Sequence, residues 1–384
     1  MKPLDVYSTF DIDIVKARGC DLWDSFGNKY LDLYGGHAVI SIGHSHPVYL
    51  KALSEQIRKI GFYSNAIKMP LQEELAFKLG ELSGYTDYNL FLCNSGAEAN
   101  ENAFKLASFN NKRKKIIAFK GSFHGRTSLA VAATDNPSIV SPVNQNAQVV
   151  FLPLNDMEAF DAVAGDDVCA VIIEGIQGVG GVIIPDPDFL KHIERRCLKY
   201  GIILILDEVQ SGYGRSGKFF AHQYAGIRPQ LITVAKGMGN GFPIAGVLVS
   251  PDLKVHKEML GTTFGGNYLA CAAAIAVLDV IRDENLIGNA ANLGVYLGEK
   301  LSHFTGIRDL RIRGLMAGIE LEEPCAEIRR QLLFVHRIFT GSSADKNTIR
   351  LLPSLAISNR EIDLFIHALS PMLIKEDEIF YNSK

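Results

Sequence analysis

Several features that would assign this chain of 384 residues to a particular class of protein are absent from its sequence. The six cysteines are scattered without a Cys-x-x-Cys pair, and most lie in apolar stretches, as expected for reduced core residues of a cytoplasmic protein. The net charge of −3 provides no basic stripe for nucleic acid or for an anionic membrane. No apolar run approaches the roughly 18–20 residues of a membrane span, and the first residues begin no signal sequence. We therefore expect a soluble, cytoplasmic protein without a nucleic-acid or membrane partner.

Motifs of the common nucleotide-binding enzymes are also absent. No glycine-rich turn ends in the Gly-Lys-Ser/Thr of a P-loop, which disfavours an NTPase. No Gly-x-Gly-x-x-Gly fingerprint is suitably placed with an acidic residue about 20 residues further on, which disfavours a nucleotide-binding dehydrogenase. The chain has no internal repeat, low-complexity segment or long linker. Its length and its apolar share of 47% are typical of a globular protein with about two domains.

The middle of the chain contains a repeated order of short apolar strand, glycine-containing turn and amphipathic helix. The predicted strands are nearly continuous in apolar residues, as a sheet covered on both faces requires. They span 91–93, 115–119, 169–173, 202–206 and 231–234. One predicted helix, 188–200, precedes Gly201, a residue suited to the left-handed conformation that ends helices. The pattern predicts an α/β fold with a mainly parallel sheet and a ligand outside the strand ends.

The two ends of the chain differ from its middle. Residues 1–45 contain a turn at 23–28 between short strand-like pieces, and the chain from 285 onward combines helical periodicity with a strand around 318–321. We expect both ends, 1–45 and 285–384, to form one smaller domain. Residues 46–284 are then expected to form the large domain.

A lysine and an acid follow two of the predicted strands. Lys236 lies in a glycine-rich turn after the strand 231–234, and Asp207 follows the strand 202–206. A lysine after a strand is most often a solvated loop residue, and Asp207-Glu208 alone could be a magnesium site, although no P-loop accompanies it. Together, however, a lysine can form an imine with an aldehyde while an acid keeps a pyridine nitrogen protonated, which are the two groups that pyridoxal phosphate requires. Opposite charges about 4 Å apart attract by about 4 kcal/mol at an effective dielectric near 20, enough to hold that proton at neutral pH.

Two further turns carry groups that suit a phosphate and a planar ring. Ser95 can cap a helix whose first backbone N–H groups, at Gly96 and Ala97, would bind an anion. The alternative is an ordinary helix start with small residues. Phe123 could stack on a ring, which contributes about 1 kcal/mol beyond its burial. Arg126 could bind a carboxylate through two parallel hydrogen bonds, although a core phenylalanine beside a surface arginine is the simpler explanation of this segment.

The remaining candidates depend on these neighbours. Val209 could pack on the ring face opposite the phenylalanine, and Gln210 could form a hydrogen bond with a ring hydroxyl. Threonine hydroxyls in the segment 261–267 could donate to a phosphate. His44 and His46 suggest a metal, but no third ligand is placed nearby, so we expect a structural role for both and no metal site.

Five motifs occur in the order found in class III, fold-type I pyridoxal-phosphate aminotransferases, which the chain resembles over essentially its whole length. Within that family it looks most like the acetylornithine aminotransferases and their succinylornithine relatives. The motifs are 94–101, 122–127, 207–214, the turn around Lys236, and 262–267. The resemblance implies a fold-type I α/β architecture, with a mainly parallel seven-stranded sheet between helices in the large domain and a smaller α+β domain from both chain ends.

The resemblance also implies a cofactor, pyridoxal 5'-phosphate, and a role for each matching residue. Lys236 would bind the cofactor covalently and, once displaced by substrate, transfer a proton between the substrate and cofactor carbons. Asp207 would face the pyridine nitrogen, which makes Lys236 and Asp207 the catalytic residues, and Gln210 would contact the ring hydroxyl. The cofactor contacts from one chain would be Gly96, Ala97, Phe123, Asp207, Val209, Gln210 and Lys236. Thr263 of the partner subunit would complete the set.

The implied reaction is transfer of the terminal amino group of an N2-acylated ornithine to 2-oxoglutarate in arginine biosynthesis, giving the N-acyl glutamate 5-semialdehyde and glutamate. Arg126 and Thr262 would contact the acylated ornithine, and Arg350 the α-carboxylate of glutamate or 2-oxoglutarate. Because Thr263 would reach the site of the other subunit, a homodimer would be required for activity. Alternatives on the same fold are transaminases of ornithine, 4-aminobutyrate or succinyldiaminopimelate, an aminomutase and a racemase. A cofactor-binding protein without activity is disfavoured because all the catalytic groups are present.

Two positions depart from the family pattern. Relatives usually carry Glu-Pro-x-Gln-Gly-Glu where this chain has Glu-Gly-Ile-Gln-Gly-Val at 174–179. The second glutamate can neutralise the arginine that corresponds to Arg350, whereas Val179 cannot, and an unpaired arginine in a partly buried site costs a few kcal/mol. We therefore expect another partner for Arg350, and we hypothesise that the donor brings a second carboxylate, as N-succinylornithine does. Tyr268 stands where proline is common and is expected to narrow the entrance.

Overall fold

The computed structural model of the chain describes residues 1–373. The end of the predicted C-terminal segment 285–384, from 374 onward, lies outside the described residues. The strands are β1 (Ile14–Arg18), β2 (Asp21–Asp24), β3 (Lys29–Asp32), β4 (Asn89–Cys93), β5 (Lys115–Phe119), β6 (Val149–Leu152), β7 (Val168–Glu174), β8 (Ile203–Asp207), β9 (Leu231–Val234), β10 (Ala245–Val249), β11 (Ile307–Arg313), β12 (Met316–Leu321), β13 (Ile338–Phe339) and β14 (Thr348–Leu351). The helices are α1 (Gly35–Ala38), α2 (Pro47–Lys59), α3 (Pro70–Ser83), α4 (Gly96–Asn111), α5 (Ser128–Ala132), α6 (Met157–Val163), α7 (Pro187–Tyr200), α8 (Tyr268–Asp283), α9 (Leu286–Leu301), α10 (Ala326–Phe334) and α11 (Asn359–Leu373).

A sheet of seven strands forms the centre of the molecule, in the order β4-β10-β9-β8-β7-β5-β6. Neighbouring strands are parallel except at β10, which runs antiparallel to both β4 and β9. Every residue of β7, β8 and β9 is buried. The predicted α/β fold with a mainly parallel seven-stranded sheet is confirmed.

Helices on both faces explain the continuous apolar pattern of these strands. Successive strand residues point to opposite faces, so Ile172 packs with Phe104 of α4, and Ile173 packs on the other side in the cluster that contains Phe189 of α7. Burying one such side chain contributes roughly 1.5–3 kcal/mol. Because neither face is in contact with water, nearly every position of these strands is apolar.

The local signals that predicted the helices are present in the structure. α7 begins with proline in its first turn and ends at Gly201, whose φ of 61° is left-handed. Its bounds agree with the predicted range 188–200 to within one residue. At the start of α4, the Ser95 hydroxyl accepts the Glu98 N–H at 3.2 Å, as a capping residue does. The cap fixes the first turn of α4 directly after β4.

The two ends of the chain pair with each other. The hairpin strands β1, β2 and β3 are joined by β13, which runs parallel to β3, to make a four-stranded sheet. β11, β12 and β14 form a separate antiparallel sheet of three strands. The pairing of β3 with β13 supports a unit built from both ends, while the domain boundaries at 45/46 and 284/285 stay a prediction.

His44 and His46 hold local structure at the entrance to α2. The His44 Nε2 lies 2.9 Å from the Asp32 carboxylate, and the His46 Nε2 lies 2.9 Å from the Glu284 carboxylate. The His46 Nδ1 accepts the Val48 N–H at 3.3 Å, which caps the helix. Both histidines therefore have the structural contacts that the sequence predicted for them.

Most of the polar turns identified in the sequence lie at one edge of the large sheet. β4, β5, β7, β8 and β9 point in the same direction, so their carboxyl ends meet there, followed by the turns that begin at Asn94, Lys120, Gly175, Glu208 and Ala235. Ligands of open α/β sheets bind outside these strand ends. Among residues 1–373, no helix has the length and apolar character needed to cross a membrane.

Candidate active site

A cavity of about 380 Å³ opens at the carboxyl ends of these strands. The residues predicted for a cofactor and substrate that line it are Gly96, Ala97, Phe123, Arg126, Asp207, Val209, Gln210 and Lys236. Thr262, Thr263 and Arg350 are not among its lining residues. The fold thus brings together groups from four separate segments of the sequence, but it does not bring all the predicted groups into one chain's cavity.

Lys236 stands immediately after β9 in a strained backbone conformation. Its φ of 44° is left-handed, which is uncommon for a residue with a side chain, and a 3₁₀ turn follows at Lys236–Met238. The Ser41 hydroxyl donates to the Gly237 carbonyl at 2.7 Å and helps to hold the turn. Burial lowers the pKa of the Lys236 ammonium, while the nearby Asp207 and Glu174 act in the opposite direction. A lowered pKa raises the share of the neutral amine, which is the nucleophilic form.

The Asp207 carboxylate is buried at the end of β8 and is held by three donors. Its Oδ2 accepts from the Asn100 amide at 2.8 Å and from the His124 Nδ1 at 2.8 Å, and its Oδ1 accepts the Val209 N–H at 3.0 Å. The Asn100 Oδ1 in turn accepts from the Thr233 hydroxyl at 2.7 Å. This network fixes the direction of the carboxylate toward the cavity before any ligand binds.

The start of α4 forms another part of the cavity wall. The first N–H groups of a helix have no acceptor within the helix, and the helix dipole favours an anion there. At Gly96 a Cβ would lie 2.7 Å from the Val209 Cγ1, so only glycine fits this close approach. The geometry therefore allows Gly96 and Ala97 to bind a phosphate through backbone N–H groups.

Phe123 and Arg126 belong to the turn after β5. The Phe123 N–H donates to the Glu174 Oε1 at 3.0 Å, which ties the turn to β7. Arg126 is exposed at the rim of the cavity, where its guanidinium is accessible to a carboxylate. These positions suit a ring-stacking residue and a substrate-binding residue, and both roles stay predictions.

Arg350 is buried on β14 behind Gln210 rather than in the cavity wall. Its Nη1 donates to the Gln210 Oε1 at 3.3 Å, and its Nε donates to the Ser342 carbonyl. The Gln210 amide also donates to the His37 carbonyl at 3.3 Å. The Arg350 guanidinium thus has two neutral oxygen atoms as acceptors, in place of the carboxylate that Val179 cannot supply. Among residues 1–373, no carboxylate lies within 4.0 Å of this guanidinium. Burial lowers the pKa of Arg350.

The two predicted threonines lie beside the start of α4. The Thr262 hydroxyl contacts the Glu98 Oε1 at 3.2 Å and accepts the Gly265 N–H at 3.2 Å. Thr263 is exposed on the surface. Neither lines the cavity of its own chain, so the cofactor role of Thr263 and the substrate role of Thr262 both stay predictions.

Tyr268 is the first residue of α8 and does not line the cavity, so within the chain it does not narrow the entrance as expected. The first position of a helix needs no backbone hydrogen bond, which is why proline is common there. Tyrosine occupies this first position in the same helix. Asn267, the residue before it, caps the helix by accepting the Ala270 N–H at 3.0 Å.

The sequence missed three residues that complete the site. His124 and Asn100 orient Asp207, and Glu174 lines the cavity at the end of β7. Burial raises the pKa of Glu174 to about 7, with Asp207 adding to the effect and His124 opposing it. The sequence signal that could have identified Glu174 is an acid directly after a continuous apolar strand, the same pattern that singled out Asp207.

The residues of this cavity fit pyridoxal phosphate. An amine, a buried carboxylate, an aromatic ring and a helix N-terminus line one space of suitable size. The Gly96 position leaves no room for a side chain between the helix start and Val209, as a backbone phosphate site requires. Lys236, Asp207, Phe123, Gly96 and Ala97 would hold the group.

Comparison with known proteins gives a consistent family. The family described as aminotransferase class-III matches residues 5–373. The chain is 38% identical to acetylornithine aminotransferase 1 of Bordetella pertussis over 383 residues, covering 96% of each protein. It is also 38% identical to the acetylornithine aminotransferase of Archaeoglobus fulgidus over 364 residues, covering 94% of this chain and 95% of that protein.

Solved structures agree with these relatives. The ornithine aminotransferase of Toxoplasma gondii, whose active site contains pyridoxal phosphate at partial occupancy, has a TM-score of 0.89 at 27% identity and covers 98% of this chain and 92% of that one. The acetylornithine aminotransferase of Elizabethkingia anophelis has a TM-score of 0.83 at 28% identity, with 96% of both chains covered. With the matching family, the relatives and the cavity in agreement, this chain belongs to the class III aminotransferases.

Proposed function

We propose that this aminotransferase transfers the terminal amino group of an N2-acylated ornithine to 2-oxoglutarate, giving the N-acyl glutamate 5-semialdehyde and glutamate, in arginine biosynthesis. The observation that carries the proposal is the meeting of Lys236, Asp207 and the α4 N-terminus in one cavity. The names of the relatives, acetylornithine aminotransferases at 38% identity over nearly the whole chain, support the substrate class.

The cofactor is pyridoxal phosphate, which supplies an aldehyde that takes up the amino group and a cationic ring that accepts the electron pair released at the substrate carbon. Lys236 moves the proton at that carbon, because its amine is buried beside the ring site and its pKa is lowered. Asp207 holds the proton on the ring nitrogen. His124 and Asn100 keep the Asp207 carboxylate in the direction that this contact needs.

Two arginines would bind the carboxylates of the substrates. Arg126 is exposed at the rim and can bind the α-carboxylate of the acylated ornithine through two parallel hydrogen bonds. Arg350 lies deeper, and its present acceptors, the Gln210 amide and the Ser342 carbonyl, are neutral. The α-carboxylate of 2-oxoglutarate is the stronger acceptor for a guanidinium and would replace the bond to Gln210.

A panel of amino donors at constant 2-oxoglutarate tests the proposed substrate class. We expect kcat/KM for N-acylated ornithines to exceed that for 4-aminobutyrate by roughly 10–100-fold, because a charge-assisted bond to Arg126 contributes about 1.5–3 kcal/mol and the carboxylate of 4-aminobutyrate lies one carbon closer to the reacting amine, too short to form that bond in the same pose. Glutamate formation in a coupled assay is the measurement. Preference for 4-aminobutyrate, ornithine or succinyldiaminopimelate, or turnover without glutamate, would contradict the proposal.

The same panel decides the acyl group. If the charge of Arg350 requires a second carboxylate from the donor, N-succinylornithine should exceed N-acetylornithine in kcat/KM. A strong preference for N-acetylornithine would remove that hypothesis and would indicate that the neutral acceptors of Arg350 are sufficient.

We also propose that the active form is a homodimer with shared sites. Phe62 and Phe264 are exposed on the surface with ring centroids 5.3 Å apart, and Tyr63 and Ile67 are exposed nearby in sequence. Contiguous exposed apolar side chains indicate a surface that a partner covers. Thr263, which is adjacent to Phe264, would then reach the α4 N-terminus of the second copy.

Mixing two inactive variants tests the shared site. We expect Lys236→Ala and Thr263→Ala to be impaired separately, and activity to return when the two are unfolded and refolded together. A mixed dimer contains one site with both Lys236 and Thr263, so random pairing restores about a quarter of all sites. Each variant refolded alone is the control. Absence of recovery, with mixed dimers present, would contradict the shared site.

We also propose a division into two domains, a cytoplasmic location and a substrate contact for Thr262. The division into a large domain, 46–284, and a small domain from 1–45 and 285–384 is supported by the pairing of β3 with β13. The cytoplasmic location and the exact substrate contacts of Thr262 stay predictions from the sequence.

A further inference from the structure

Glu174 is a buried acid in the cavity that the mechanism above does not use. It ends β7 directly opposite Asp207 at the end of β8, so the two acids stand side by side at one edge of the sheet. Both side chains are buried and both line the cavity. Two adjacent acids in one low-dielectric space influence each other and any cation nearby.

Two backbone hydrogen bonds hold the Glu174 carboxylate in place. Its Oε1 accepts the Phe123 N–H at 3.0 Å, and its Oε2 accepts the Gly178 N–H at 3.0 Å. The chain passes so close to Gln210 at Gly178 that a Cβ there would lie 1.7 Å from the Gln210 Oε1. The carboxylate is therefore fixed between the turn that carries Phe123 and the turn that packs on Gln210.

Glu174 differs from the other buried glutamate of this region in having no ion-pair partner within 4.0 Å among residues 1–373. Glu208 contacts the His222 Nδ1 at 2.8 Å and accepts from the Ser211 hydroxyl at 2.6 Å, and it does not line the cavity. The Glu208 carboxylate is thus held by local hydrogen bonds. The charge of Glu174 acts instead on the groups of the cavity.

Glu174 interacts electrostatically with four charged or titratable groups from different elements: Asp207 on β8, His124 after β5, Lys236 after β9 and Arg350 on β14. Glu174 favours the proton on Lys236, as Asp207 does, and Arg350 opposes it. Burial raises the pKa of Glu174 to about 7, so its charge changes within the range in which enzymes of this kind operate.

We propose that Glu174 is a positioning residue that sets the proton affinity of the Lys236 nitrogen in the cofactor-bound enzyme. The inference rests on the proposed function, because it concerns the same site. An ionised Glu174 stabilises a proton on that nitrogen, whereas a protonated Glu174 does not. As the pH rises through neutrality, Glu174 ionises and delays the loss of the proton from Lys236.

The experiment is a pH titration of the visible absorption of the holoenzyme, which reports the proton on the nitrogen that binds the cofactor. Glu174→Gln removes the charge and keeps the shape of the side chain. We expect the pH midpoint to fall by about one to two units, since unit charges about 6–12 Å apart attract by about 1.4–2.8 kcal/mol at an effective dielectric near 20. The midpoint falls rather than rises because the lost carboxylate had favoured the protonated form.

Glu208→Gln is the matched control, because it removes a buried glutamate whose charge is directed away from the cavity. Its midpoint should stay within about 0.2 units of the wild type. An unchanged midpoint in a folded Glu174→Gln holoenzyme overturns the inference. If that variant does not fold, Glu174→Asp replaces it: a midpoint below the wild type, from withdrawal of the charge by one methylene, supports the inference, and an unchanged midpoint overturns it.

A failure of this inference can be distinguished from a failure of the proposed function. If Lys236→Ala has the same absorption band as the wild type, the cofactor is not attached at Lys236 and the proposed function is wrong. If the band depends on Lys236 but does not respond to Glu174→Gln, only the role of Glu174 is overturned.

Discussion

Replacing Lys236 with alanine is expected to lower kcat by at least about a thousandfold, because a positioned proton-transfer group contributes about 10²–10⁴ and the same nitrogen attaches the cofactor. The side chain is the only lysine among the residues that line the cavity described above. Burial lowers the pKa of this side chain, which raises the share of the neutral amine that can accept a proton. Single-turnover conversion of the amino donor measures the loss.

Lys120→Ala is the control for this prediction. Lys120 follows β5 at the same edge of the sheet, but its side chain is exposed and does not line the cavity. It should keep the activity of the wild type, and reduction with borohydride should leave a cofactor adduct in Lys120→Ala but not in Lys236→Ala. Normal turnover by the Lys236→Ala protein would contradict the assigned mechanism.

Asp207→Asn is expected to lower kcat by roughly 10²–10³, because a carboxylate about 4 Å from a ring nitrogen stabilises its proton by about 4 kcal/mol at an effective dielectric near 20. The asparagine keeps the size of the side chain but loses the charge. It also brings an amide donor close to the donors from Asn100 and His124, which now bond the carboxylate at 2.8 Å each. The loss should appear in kcat more than in KM, since the charge acts on the transition state.

Glu208→Gln tests whether the loss of a buried charge outside the cavity affects catalysis. Glu208 is the next residue along the chain, yet its carboxylate bonds His222 and Ser211 rather than facing the cavity. We expect this variant to lose about 1–3 kcal/mol of stability, from an imperfectly satisfied buried network, while kcat stays near the wild-type value. A larger loss of kcat in Glu208→Gln than in Asp207→Asn would show that the two acids had been assigned the wrong way round.

Much of the fold could be predicted because its signals are local. The strands 115–119 and 231–234 and the helix near 188–200 were predicted to within one residue, since continuous apolar runs, a proline at a helix start and a glycine at a helix end act within a few residues. The antiparallel direction of β10 is different. It depends on pairing with β4 and β9, and β4 lies more than a hundred residues away in the chain.

The candidate site was predicted in part for the same reason. Lys236, Asp207 and Gly96 stand out because each follows an apolar strand, and parallel strands bring their carboxyl ends to one edge. Glu174 occupies the same kind of position but received no role from the sequence, because its importance depends on Asp207 lying directly opposite. The acceptors of Arg350 were also unpredictable, since Gln210, in the turn after β8, meets it only in the folded chain and Ser342 only when the segment before β14 turns back on it.

By itself, the order of residues determined an α/β chain with a lysine and an acid at the ends of buried strands, because periodicity and turn chemistry operate over a few residues. Only the tertiary structure decided that Asp207 faces the cavity while Glu208 turns to His222, and that Arg350 rests on neutral oxygens. Alternate residues of a strand point to opposite sides, and what each side contains is supplied by distant segments. The sequence therefore determines the chemistry of each side chain, whereas packing in the folded chain determines which groups it contacts.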